Sequence, residues 1–302
     1  MKKILFLVIS IMVMFGSVNV YAQTMSKYGY PTSSSKQSSV YSLIDSVSIF
    51  YGTDYQHYAE KASAVPSGYL QSSPVGSTLD NEAASLPGYG IKLSGIVSPN
   101  IPVYLSANFS TYAGNSDYTG ALQTTPPTPI EITDGSQYVN YGITAGYAFN
   151  LSNGRAAIIP NVGYEWIEWN RNVKGIFIGT GDNVEHYEFN HYSIGIKGYY
   201  FLTHKFWLEG DYNYLINNNN KMTNNLGTAN LGNKNGYELG AKIGYVAYQT
   251  SNIQISPYVG INYIQNQEGQ SPWMPTNGGI WQEPSDQSNQ LIFNLGIKIG
   301  FN

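Results

Sequence analysis

Cysteine is absent from the 302 residues. Its absence excludes disulfides, a thiolate nucleophile, cysteine-ligated metal and the cysteine anchor of a lipoprotein. Charge is scarce as well: Asp, Glu, Lys and Arg make up 11% of the chain, for a formal net charge of −4. A weakly acidic chain without a basic stripe has no electrostatic footprint for nucleic acid. Long apolar runs are missing beyond Phe15, and a membrane-spanning helix needs about 20 such residues. Glycine-rich phosphate loops and zinc-ligand spacings do not occur, so no cofactor and no metal is expected.

What is present begins with a targeting pattern. Lys2 and Lys3 precede an apolar stretch from Ile4 to Phe15, followed by Gly16, Ser17 and the small-residue site Val20-Tyr21-Ala22. This reads as a secretory signal peptide over 1–22, cleaved after Ala22. Residues 23–42 are rich in Ser and Tyr without periodicity and read as a flexible lead-in. Residues 43–302 form one domain. Its 27 tyrosines and 32 glycines, counted over the whole chain, suit a barrel wall better than a soluble globule.

Alternation is the main signal. Ten segments carry apolar side chains at every second position, which puts one face of each strand in lipid and the other in a lumen. The first runs from Val47 to Tyr58. The next eight are marked by Tyr89–Val97, Val103–Phe109, Val139–Tyr147, Ile158–Trp166, Tyr192–Tyr200, Phe206–Tyr214, Tyr237–Tyr245 and Ile253–Tyr263. Leu291–Phe301 is the cleanest, with Asn294, Gly296, Lys298 and Gly300 between its apolar residues. Short turns are expected near 98–102, 150–155, 202–205 and 249–252, and long polar loops near 59–86, 113–137, 170–190, 216–235 and 265–288. Gly175-Ile-Phe-Ile-Gly179 could extend the third hairpin beyond the membrane, and the Asn-rich loop at 216–235 reads as mobile and exposed. The fold expected is all-β: a closed, antiparallel, up-and-down transmembrane barrel of ten strands, with short periplasmic turns and long extracellular loops. Pro160 and Pro257 fall inside proposed strands in matching contexts, Ile-x-Pro-x-Val-Gly. A proline removes a ladder hydrogen bond, so a tolerated bulge at the periplasmic rim is expected at each.

Two stretches carry a resemblance. Ile255-Ser-Pro-Tyr-Val-Gly-Ile-Asn-Tyr263 resembles the Pro-Tyr-x-Gly strand of small outer-membrane barrels of the opacity and OmpA-like kind. Leu79-Asp-Asn-Glu82, Leu86-Pro-Gly88 and Gly114-x-x-x-Tyr118-x-Gly120 resemble a pattern of "porin family" outer-membrane proteins. The C-terminal alternation resembles the family's assembly signal, except that the aromatic Phe301 is penultimate and Asn302 is last. The resemblance implies the outer membrane of a Gram-negative bacterium, with lipid and lipopolysaccharide as neighbours. It also implies periplasmic chaperones and the barrel-assembly machinery as partners in biogenesis. It implies no activity.

The alternation assigns Lys92, Glu165, Lys197, Glu209, Asp211, Glu238, Lys242 and Lys298 to the lumen. A balanced set of buried charges should pair, with Lys197 opposite Glu209 or Asp211 across the turn at 202–205. These pairs are expected to fill a narrow barrel, since wide channels need about sixteen strands. Two aromatic girdles are expected at the interfaces: Tyr89, Tyr141, Trp166, Tyr192, Tyr212, Tyr237 and Tyr263 at the upper strand ends, and Tyr147, Tyr200, Phe206, Tyr245 and Phe301 at the lower. Candidates for chemistry are sparse. His186 lies between Glu185 and Glu188, where metal or acid–base work competes with simple solvation. His191-x-Ser193 resembles the His-x-Ser-Asn element of outer-membrane lipid A deacylases, with Ile194 in place of the Asn. An omptin-like protease mechanism lacks its Asp-x-His couple, because 216–222 reads Ile-Asn-Asn-Asn-Asn-Lys-Met and the second loop offers only Asp117. Trp273 and Trp281 could stack on a sugar or other extracellular ligand. The functional expectation is a structural or surface-interaction barrel working through its loops, ahead of a narrow solute channel and, last, a membrane hydrolase.

Overall fold

The computed structural model describes residues 40–67, 73–97, 102–122, 128–151, 154–177, 181–276 and 279–301. The expected signal peptide and most of the expected lead-in lie outside them. A short helix, α1 (Tyr41–Ile44), precedes ten long strands. They are β1 (Ser46–Lys61), β2 (Thr78–Ile96), β3 (Val103–Leu122), β4 (Thr128–Tyr147), β5 (Ala156–Phe177), β6 (Gly181–Phe201), β7 (Phe206–Asn217), β8 (Gly236–Tyr245), β9 (Ile253–Gly269) and β10 (Ser285–Phe301). Each pairs antiparallel with the next, and β10 returns to β1 with Ser46 opposite Gly300 and Lys61 opposite Ser285. The sheet is therefore a closed ten-strand barrel. Closure leaves no edge along the wall, so its backbone amides and carbonyls are satisfied within the sheet.

The alternation in the sequence became the two faces of this wall. Ile49, Tyr51, Ile143, Val162, Ile194, Val259, Leu295 and Ile297 point outward and are each more than half exposed. A continuous apolar belt of this extent is far beyond what a water-soluble surface carries, and it is the surface that a hydrocarbon layer covers. Inward positions are mostly small or polar through the belt, then turn aromatic at both ends. One aromatic cluster, at the end that carries both described chain ends, includes Tyr104, Tyr199, Phe201, Trp207 and Tyr258. The other, toward the far end, includes Tyr58, Tyr138, Trp169, Tyr187 and Phe189.

Four features depart from the sequence reading. First, the stretches at 113–137 and 170–190 are largely strand, and the strands also run into both ends of 59–86, to Lys61 and from Thr78. The β3–β4 ladder continues to Leu122 opposite Thr128, and β5–β6 to Phe177 opposite Gly181. Above the belt both faces become polar, so the period-two signal fades although the pairing continues. Second, the Asn-rich segment is ordered. Lys221–Asn224 and Gly227–Asn230 form a hairpin that adds to β6 through His186–Thr223 and Tyr187–Met222. Met222, Ala229 and Leu231 are buried under it, and these three apolar residues are what the Asn-rich composition hid.

Third, the prolines sit beside gaps in the neighbouring strand, with their own strands running in regular register. Pro160 pairs normally with Ile196, while on its other edge the partner switches from Gly146 to Phe149. Pro257 pairs with Ile297 and faces the break between Gly244 and Tyr248, where the neighbouring strand has one extra residue. Each missing N–H thus falls where the ladder is already interrupted. Fourth, the described last residues of the expected lead-in are packed against the barrel: Val40 and Ser42 are buried, together with Leu43 and Ile44.

Candidate functional site

The lumen is filled in two storeys. The floor is built by α1 and an ion knot above it. The Ser94 and Ser46 hydroxyls donate to the Ile44 and Leu43 carbonyls at 2.6 and 3.0 Å. The Ser42 hydroxyl donates to Gln254, and the Ile96 amide donates to Asp45 at 2.6 Å. At Gly300 a side chain would collide with the Ser42 carbonyl, so only glycine lets α1 tuck beneath the barrel here.

Glu209 is the centre of the knot. Its side chain is 1% exposed and takes Lys298 at 2.5 Å, Lys242 at 3.0 Å and Lys197 at 3.4 Å. Lys197 reaches on to Asp211 at 2.8 Å. The register explains the meeting: Asp211 faces Lys197 on β6, Glu209 faces Lys242 on β8, and Lys298 arrives from β10. Aromatic rings wall the cations in, with the Lys298 ammonium 4.8 Å from the Trp207 ring centre and 5.1 Å from that of Tyr199. Gly244 leaves the space that the Trp207 indole occupies. Of the eight charges assigned to the lumen from the sequence, the structure brings together Lys197, Glu209, Asp211, Lys242 and Lys298. Glu238 instead accepts from Asn213 at 3.0 Å. Lys92 and Glu165 make no direct ion pair among the described residues.

The upper storey was missed by the sequence reading, because its residues lie in stretches taken for loops. Arg171 on β5 is 2% exposed and meets Glu82 at 2.9 Å, Glu185 at 3.2 Å and Glu60 at 3.8 Å. The rings of Tyr58, Trp169 and Tyr118 surround its guanidinium at 5.0, 5.0 and 5.5 Å. Asp80, Glu268, Glu283 and Asp286 are buried around the same space. Register places Asp80, Glu60, Asp286 and Glu268 side by side across β2, β1, β10 and β9. This storey stands beyond the apolar belt. Loss of solvent raises Glu60, Glu268 and Glu283 well above the ordinary carboxylate range, with mutual repulsion adding to it. The same desolvation pushes Asp286 up to about 7. A signal for this storey was present in the inward parity of Asp80, Glu82, Arg171 and Glu185, had the strands been extended upward.

Between the storeys lies a cavity of about 20 Å³, lined by Tyr58, Tyr138, Trp169, His191, Glu268 and Asp286 among others. That is room for about one water molecule.

The remaining candidates are dispersed. His186 contacts Asn170 at 2.8 Å and Glu188 at 3.4 Å on the partly exposed outer wall. Among the described residues no group of three His, Cys, Asp or Glu is arranged to hold a metal. His191 and Ser193 both face inward and are buried, and the His191 ring contact is with Asn266 at 3.4 Å. Asp117 is exposed on the outer face, away from the acidic storey. Trp281 packs against the upper core and Trp273 is half-buried. All twelve residues assigned to the two girdles stand on the outward face. Tyr89, Trp166, Tyr192, Tyr212, Tyr147, Tyr200 and Phe206 are each more than two-fifths exposed. Tyr141, Tyr237, Tyr263, Tyr245 and Phe301 are half-buried, with Tyr237 against Tyr263 and Phe206 against Tyr245.

No protein-family model matches this chain, and no curated protein matches it. Among solved structures it is similar to the outer membrane protease OmpT from Escherichia coli, with a TM-score of 0.57 and 13% identity over 86% of this chain and 97% of that one. Two autotransporter barrels also align. The translocator domain of NalP from Neisseria meningitidis gives a TM-score of 0.36 and 9% identity over 94% of this chain and 98% of that one. The transport unit of AIDA-I from Escherichia coli gives 0.39 and 12% over 96% and 98%. At this identity the OmpT likeness shows a shared outer-membrane barrel fold and nothing about the reaction.

Proposed function

We propose that the chain is an integral outer-membrane barrel of the structural or surface-interaction type. In this reading its lumen is closed by side chains and its contacts are made by the far end of the wall. The observation that carries the proposal is the knot of Glu209 with Lys197, Lys242 and Lys298, roofing the floor that α1 provides. A solute would have to separate three buried lysines from one buried carboxylate, and breaking such a pair costs about 3–5 kcal/mol when one partner is left behind. The apolar belt supports residence in a bilayer, and the short connections at the end that carries both described chain ends support placing that end in the periplasm. Lipid and lipopolysaccharide then surround the belt. The tall, polar upper wall stands above the membrane as the surface offered to extracellular ligands.

The lack of cysteine makes the topology testable by labelling. Asn225→Cys, at the tip of the Lys221–Asn230 hairpin, and Thr203→Cys, in the opposite short turn, are expressed separately in a Gram-negative host. A maleimide too large to pass the outer membrane should label the first on intact cells and the second only after lysis. Labelling of Thr203→Cys on intact cells would reject the orientation, and labelling of neither after correct folding would reject surface display.

A further inference from the structure

The upper storey holds seven buried or largely buried carboxylates: Glu60, Asp80, Glu82, Glu185, Glu268, Glu283 and Asp286. Arg171 satisfies part of this set, through Glu82, Glu185 and Glu60. Among the described residues, the other side of the storey, toward β9 and β10, holds no such counter-ion; Lys234 acts on Asp286 from the rim. Here the polar atoms are incompletely used. The Glu268 Oε1 accepts from Asn220 at 3.1 Å and Asn266 at 3.4 Å, while its Oε2 accepts no hydrogen bond. Asp286, 5% exposed, has the Tyr58 hydroxyl and the Glu268 backbone amide as favourable neighbours, but neither of its oxygens takes a hydrogen bond of normal geometry, the Tyr58 hydroxyl being donated to Glu60 at 2.7 Å. The His191 Nδ1 is likewise unused. All three residues line the cavity described above, whose other walls include the rings of Tyr58, Tyr138, Trp169 and Phe189.

Unspent acceptors and aromatic faces around a space the size of one water molecule are the chemistry that recognises an ammonium head. The molecule already contains a precedent: two of these rings, Tyr58 and Trp169, also face its own Arg171 guanidinium, which neighbouring acids, Glu60, Glu82 and Glu185, hold. A chelated divalent ion fits less well, since no group of three ligands converges among the described residues. We propose that this pocket binds the primary ammonium end of a slender aliphatic amine of the polyamine class. The ammonium would sit between Glu268 and Asp286 against Trp169 and Tyr58, with the chain directed to the far mouth. The proposal goes beyond the reading of a closed surface barrel and does not depend on whether the floor conducts.

The test uses the full chain folded in detergent micelles at pH 7.5, with spermidine as the probe and binding read by calorimetry and tryptophan fluorescence. Saturable binding is expected, weakened at least about tenfold in the Glu268→Gln/Asp286→Asn variant, as when a desolvated charge partner is lost. Asp286→Asn alone should fold and bind more weakly. Glu131→Gln, which changes an acid on the outer face, should bind as the parent does. Equal affinity in the double variant, equal loss in Glu131→Gln, or no saturable binding would overturn the proposal. So would displacement of spermidine by stoichiometric magnesium, which would make the pocket a metal site.

Discussion

Replacing Glu209 by Gln leaves Lys197, Lys242 and Lys298 facing one another with one acid, Asp211, between them. Because these groups are almost wholly buried, Glu209→Gln should destabilise the barrel by about 3–5 kcal/mol. Lys197→Ala should also destabilise it. Both are read from the temperature at which the folded, fast-migrating gel band is lost, and an unchanged transition would count against the knot. The upper acids behave in the opposite sense. Asp286 faces Glu60, Asp80, Glu268 and Glu283, with Lys234 and the Tyr58 hydroxyl as the favourable neighbours, and its carboxyl is raised to about 7. A carboxyl raised in the folded state binds its proton more tightly there than in the unfolded chain. Its contribution to stability is therefore complete below about pH 4 and is lost as pH rises toward 7. Asp286→Asn should flatten that fall and be more stable than the parent at pH 8 by about 1 kcal/mol or more, given about 1.4 kcal/mol per pKa unit. Denaturant titrations at pH 5 and pH 8 check the sign. The lower charges could be read from the sequence because they interrupt clean apolar alternation. Arg171 and its acids were not, because both faces are polar there, and their inward parity stands out only once the strands are extended upward.

At the scale of elements, the strand cores were legible wherever one face meets lipid, as in Leu291–Phe301, whose every second residue is apolar. Strand ends were not, since the hydrogen-bonded ladder runs on through polar hairpins that composition describes as loops. The Lys221–Asn230 hairpin shows the same limit: two neighbouring strands and a few buried residues order it, and no local periodicity announces them. Met222→Asp should free it, so that protease cleaves between 218 and 231 while the folded band persists; resistance equal to the parent's would show that Met222 is not its anchor. The helix α1 depends on a single close approach. Gly300→Val places side-chain atoms where the Ser42 carbonyl lies, and should expel α1 while the ten strands remain. The expected sign is new protease sensitivity near residue 42 without loss of the strand signal in circular dichroism.

For the whole molecule, fold class and strand number followed from counting lipid-facing segments and alternating connections, and closure through β1 and β10 agrees with them. How tall the wall stands, and that it encloses a second, acidic storey, needed the three-dimensional pairing. The central claim is that knot, floor and aromatic walls together close the lumen. Planar-bilayer recording of the purified full chain in concentrated potassium chloride tests it most directly. The account predicts no steady open steps for the parent protein and the appearance of steps in Gly300→Val, where the floor is displaced. Steady, long-lived conductance steps in the parent protein would contradict it.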